Sequence, residues 1–152
     1  MDRRELLSLV GAVALAGCDE PAAPAAPSQS GSAAPPPPEP FRFGTDLDAG
    51  VARATREKRP LILFFTAAWS VACKELEKSF TTPAVEHAAH GFVGVLVDVS
   101  DNENDVVVAK MRAYDVRNVP AVIVTDSSGR EVHRGYAVEP PETWVERLRE
   151  VG

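Results

Sequence analysis

Residues 61–80 read LILFFTAAWSVACKELEKSF, and this stretch decides the fold. Leu61 to Phe65 is an unbroken apolar run, the pattern of a strand covered on both faces. Ser70 to Phe80 then reads as a helix. Upstream, Thr45 to Arg59 reads as a helix ended by Pro60, with Thr45 as its N-cap and Leu47, Val51 and Ala54 on one face. Downstream, Thr82-Pro83 supplies an N-cap and an N1 proline for a short helix. Phe92 to Val99 (FVGVLVDV) is a second buried strand. A helical crossover joins the two strands, so they should run parallel. Asn104 to Tyr114 is helical by pattern. Ala121 to Val124 and Glu131 to Tyr136 read as strands flanking the turn Ser127-Ser128-Gly129. Pro141 to Val151 closes as an amphipathic helix with Trp144 and Leu148 facing inward. The expected fold is α/β, a mixed sheet of about four strands flanked by helices.

The whole chain has 152 residues, 25% charged and 45% hydrophobic, which suits one domain with a real core. Two cysteines cannot build a disulfide framework. A net charge of −6 argues against a nucleic-acid partner. No apolar run approaches the roughly 18 residues that span a bilayer.

The composition divides into three segments. Residues 1–18, MDRRELLSLVGAVALAGC, begin with Arg3 and Arg4 and continue into an apolar stretch from Leu6 to Ala16, as a signal peptide does. Leu15-Ala16-Gly17-Cys18 resembles the lipobox of bacterial lipoproteins. That resemblance implies a diacylated Cys18, cleavage before it, and a lipid anchor to a membrane of the cell envelope. Arg3-Arg4-Glu5-Leu6-Leu7 resembles a twin-arginine export signal, and Asp19 resembles an inner-membrane retention signal. Residues 19–40 include PAAPAAPSQSGSAAPPPPEP, a tract without large apolar side chains that reads as a disordered tether. In extended polyproline form, twenty such residues reach at most roughly 60 Å. Residues 41–152 form the globular domain, expected to face the periplasm.

The order of elements, with Trp69-Ser70-Val71-Ala72-Cys73-Lys74 directly after the first buried strand, resembles the thioredoxin-like superfamily. From about Arg59 to Tyr136 the chain is similar to the C-terminal thioredoxin-like domain of the thiol:disulfide interchange protein DsbD. The resemblance places Val119-Pro120 at the family's cis-proline. It implies thiol and disulfide chemistry on a protein or peptide partner, with Trp69, Val119 and Pro120 lining the binding groove.

The family motif is W-C-V-A-C-K, and its first cysteine is Ser70 here. A dithiol reductase needs an exposed thiolate and a second thiol to resolve the mixed disulfide. With Cys18 lipidated, Cys73 is the single thiol left, so the ordinary cycle is absent. The family's buried carboxylate, six residues before the first cysteine, is Phe64 here.

Several roles for Ser70 and Cys73 stay open. Ser70 can cap the helix through the N–H of Cys73, leaving Cys73 as an inert core residue. The domain is then a non-catalytic polypeptide-binding module. Alternatively, the first helical turn and Lys74 stabilise a Cys73 thiolate that forms mixed disulfides. A third reading is a single-cysteine thiol peroxidase, since peroxiredoxins carry Ser or Thr three residues before their reactive cysteine. They also carry a proline four residues before that hydroxyl, where this chain has Thr66.

No cofactor or metal is expected. His87 and His90 lack a matching cysteine or carboxylate pair and read as a surface pair. Asp101 to Asp105 (DNEND) imitates a calcium loop but has Val106 and Arg112 where glycine and glutamate are required. No glycine-rich phosphate loop is present.

Overall fold

A computed structural model describes residues 40–152. The leader, Cys18 and nearly all of the tether expected at 19–40 lie outside the described residues.

The chain begins with a two-residue strand, β1 (Phe43–Gly44), followed by α1 (Leu47–Glu57) and β2 (Leu61–Thr66). Next come α2 (Val71–Phe80), α3 (Pro83–Ala88) and β3 (Val93–Asp98). The remaining elements are α4 (Asp105–Ala113), β4 (Ala121–Thr125), β5 (Glu131–Gly135) and α5 (Pro141–Val151). The sheet order is β1-β3-β2-β4-β5. β2 runs parallel to β3 and antiparallel to β4, and β5 closes one edge antiparallel to β4. The sheet is mixed, as expected, with the short β1 added as a fifth strand to the four expected. β1 is too short for any periodicity to reveal it, and it exists because Phe43 and Gly44 pair with Gly94 and Val95.

Alternation along β2 builds the two halves of the core. Leu61, Leu63 and Phe65 face a layer that includes Leu47 and Ala54 of α1. Ile62 and Phe64 face Leu76, Phe80, Val85, Trp144 and Leu148 of α2, α3 and α5. All six residues of β2 are buried, as the continuous apolar run requires. Trp144 and Leu148 point inward as expected, with no exposure at all.

The caps differ in detail. Asp46, not Thr45, caps α1, its carboxylate accepting from the Ala49 amide at 2.9 Å. Thr82 makes no side-chain cap to α3; its hydroxyl instead donates to the Ser79 carbonyl at 2.8 Å. Close packing selects two glycines. A Cβ on Gly50 would come within 2.2 Å of Val95 Cγ2, and one on Gly94 within 2.4 Å of the Phe41 ring.

Candidate functional site

The sheet register brings the candidate residues to one end of the molecule. Thr66, the last residue of β2, pairs with Asp98 at the end of β3. On its other side Phe65 pairs with Ala121, so Pro120 lies one register step further, alongside Thr66. The chain leaving β2 turns through Ala68 and Trp69 into α2, while the chain leaving β3 passes through Ser100.

Ser70 is the N-cap of α2. Its backbone is extended (φ −92°, ψ 117°), and its Oγ accepts from the buried Cys73 amide at 3.2 Å. This satisfies one of the amides that a helix start leaves without an intrahelical partner. Cys73 is wholly buried. Trp69 and Val71 are 62% and 70% exposed, the two most exposed large apolar residues beside the site. Val119 is half-buried, Pro120 is buried, and the peptide bond between them is cis.

Ser100 locks the loop that presents Trp69. Its Oγ accepts from the Ala68 amide at 2.8 Å, and its carbonyl accepts from Trp69 Nε1 at 3.1 Å. Asp98 in turn accepts from the amide of Ser100 at 2.8 Å and from its hydroxyl. These two bonds, the hydroxyl's first, hold the Asp98 carboxyl below the usual range for aspartate. The exposed indole is thus tethered by its ring nitrogen, so its apolar face is presented in one orientation.

Below the helix start, Thr66 Oγ1 donates to Glu77 Oε1 at 2.9 Å. Glu77 follows Cys73 by one helical turn, which places both on one side of α2. Phe64 sits among the rings of Phe43 and Phe80, with centroids 6.0 and 5.9 Å away, so no carboxylate stands there. Ser100 and Glu77 were not singled out from sequence. Glu77 could have been found from its i+4 spacing to Cys73. Ser100 acts across 31 residues and carries no local signal.

His87 and His90 lie elsewhere. His90 precedes β3, and its carbonyl accepts from Arg59 at the opposite end of the sheet.

The family described as thioredoxin-like matches residues 42–127, more than half of the chain. The chain belongs to the thioredoxin-like family. Among its relatives is the thiol:disulfide interchange protein DsbD of Cronobacter sakazakii, 37% identical over 91 residues. That match covers 59% of this chain and 15% of the relative. DsbD of Ralstonia nicotianae is 33% identical over 108 residues, 69% of this chain and 17% of the relative. The chain therefore spans about a sixth of the length of these relatives.

Solved thioredoxin-like structures share the fold. A thioredoxin from Thermus thermophilus has a TM-score of 0.63 at 19% identity, covering 74% of this chain and 88% of that one. The oxidised C-terminal domain of DsbD from Neisseria meningitidis has a TM-score of 0.60 at 22% identity. It covers 73% of this chain and 100% of its own. This thioredoxin-like domain is related to DsbD.

Proposed function

We propose that this thioredoxin-like chain is a lipid-anchored protein of the bacterial envelope that binds protein partners in thiol and disulfide traffic, without a dithiol reductase cycle of its own. The observation that carries this reading is the division of exposure at the site. Cys73 has no exposed surface, while Trp69 and Val71 stand out at 62% and 70%. A thiol reacts as an accessible thiolate, and a thiol enclosed in apolar surroundings is inert. An exposed indole held by its nitrogen offers the opposite, a rigid apolar surface for a partner chain.

Ser70 supports the same reading. A serine hydroxyl is far less acidic than a thiol and forms no disulfide, and here it is committed to the Cys73 amide. The name of the relatives, thiol:disulfide interchange protein, supports as partner class a protein carrying a cysteine or a disulfide, offered as an extended segment beside Val119 and Pro120. The resemblance of Leu15 to Cys18 to a lipobox supports the place, a membrane of the envelope with the domain facing the periplasm.

A mixed disulfide through Cys73 is the second reading. Its support is the position of Cys73 in the first turn of α2, next to Lys74. A reduced, carboxymethylated, unfolded polypeptide separates the two, because it offers no sulfur for exchange. Binding is followed by tryptophan fluorescence, to which the buried Trp144 contributes a constant background. Binding that Trp69→Ala abolishes and Cys73→Ala leaves intact supports the proposal. Partner capture that occurs only with free thiols and is lost in Cys73→Ala overturns it.

A further inference from the structure

Two runs of like charge stand out in this domain. Residues 40–152 carry 14 Lys and Arg against 17 Asp and Glu. Four of those acids, Asp98, Asp101, Glu103 and Asp105, fall within eight residues that contain no basic side chain. They lie at the end of β3, beside the Trp69 loop. At the start of β2 the sign reverses. Arg53, Arg56, Lys58 and Arg59 fall within seven residues, with Glu57 as the one carboxylate among them. Glu57 is shared: Arg53 and Arg59 bond to it at 3.1 and 3.0 Å, and Arg56 lies 3.8 Å away.

The sheet register places these two runs at opposite ends, with the ion pairs Arg130–Asp126 and Arg134–Glu131 of the β4–β5 hairpin also at the end where β2 starts. Leu61 pairs with Val93 and Thr66 with Asp98, so the pair is six residues long, about 20 Å. Arg59 is tied to the basic end by bonds to the Gly91 and Phe92 carbonyls, each 3.0 Å. The chain also enters the domain here. Phe41 is buried against Gly94, and the exposed Arg42 precedes β1. Arg42, Arg53, Arg59 and His90 line an open cavity of about 1010 Å³, with Asp46 as the carboxylate on its wall.

We propose that this basic end is a docking face for anionic phospholipid headgroups, which seats the domain on the membrane with the Trp69 face pointing away. Charge complementarity selects the occupant. The Arg and Lys groups are drawn to an anionic lipid surface, and the four carboxylates at the far end are repelled by it. Both effects turn the molecule the same way. The biological setting rests on the envelope anchoring proposed above; the lipid preference itself does not.

The test uses the full chain, as expressed and purified in mild detergent, partitioned onto two kinds of vesicle. One is phosphatidylcholine alone, and the other is equal parts phosphatidylcholine and phosphatidylglycerol. A basic residue near an anionic surface contributes about fivefold to partitioning. Wild type should prefer the anionic vesicles, and about 0.5 M salt should erase the preference. Arg53→Gln, Arg56→Gln and Lys58→Asn together should lower it by up to on the order of a hundredfold. Asparagine suits the left-handed backbone of Lys58 (φ 51°), and both arginines are exposed, so the fold is spared. A second triple variant, Lys74→Gln, Arg112→Gln and Arg117→Gln, removes equal charge outside the run from Arg53 to Arg59 and should leave the preference in place.

Equal losses in the two triple variants would overturn the proposal, since net charge alone would then account for binding. Binding to both vesicle types without preference overturns it while leaving the anchor reading intact. Preference for anionic vesicles with no binding to neutral ones upholds the docking face and removes the anchor.

Discussion

Replacing Ser70 by Ala tests the cap on which the site is built. The substitution removes the one side-chain acceptor for the Cys73 amide, a bond of 3.2 Å between buried groups. Loss of an N-cap side chain costs about 1 kcal/mol, and a buried amide left without a partner moves the cost toward about 2 kcal/mol. The 113 residues from 40 to 152 have an unfolding entropy of about 0.24 kcal/mol/K, at about 2.1 cal/mol/K per residue. Each kcal/mol therefore shifts the midpoint by about 4 °C, and Ser70→Ala should melt about 4–8 °C below wild type. Ser70→Asp keeps an acceptor and adds negative charge at a helix N-terminus, so it should recover most of the loss. Thermal unfolding followed by far-UV circular dichroism reads both. If Ser70→Ala melts within about 1 °C of wild type and no lower than Ser70→Asp, the hydroxyl is not holding the helix start.

Three further expectations address other parts of the molecule. Gly50→Ala should lower the urea midpoint, because the clash of its Cβ with Val95 Cγ2 at 2.2 Å costs about 1–3 kcal/mol. Val95 is β-branched and buried, so it cannot give way and the cost lies in the upper part of that range, above a helix-propensity gain of about 1 kcal/mol. His133 is held below the ordinary imidazole value by burial first and then by the charge of Arg147, with Glu139 and Glu131 opposing. The unfolded chain therefore takes up the proton at higher pH. Stability should fall as pH drops from about 7 through about 6.5 and level off below the folded value, and His133→Gln should flatten that slope in urea midpoints. At the other end of the chain, Cys18→Ser should move the protein from the membrane to the soluble fraction; unchanged fractionation would contradict a lipidated Cys18.

What the sequence made legible follows the range of each interaction. The span of α5 was read to the residue, because Pro141 marks its start and the inward Trp144 and Leu148 mark its face. β2 and β3 were legible from their apolar runs, and their parallel pairing from the helical crossover between them. The Ser70 cap was legible because it acts across three residues. Thr45 and Asp46 are adjacent cap formers, and only the path of the backbone decides between them. β1 was not legible, since two residues have no period and depend on β3 for their pairing. The same holds for the bond between Trp69 and Ser100: nothing near either residue announces a partner 31 positions away. The opposed charges of the two sheet ends are visible as runs in the sequence, but only the register sets them apart in space.

On the proposed function Cys73 is enclosed and the exposed Trp69 face binds the partner. The most direct test of this proposal is the alkylation rate of Cys73 against pH, in a Cys18→Ser background that leaves Cys73 as the single thiol. In the folded protein the rate should lie on the order of a hundredfold or more below that of the denatured chain, because reaction must wait for local opening. A folded rate equal to or above the denatured one at neutral pH, rising with a midpoint below the reference of about 8.5, would contradict the account and make Cys73 a working thiolate.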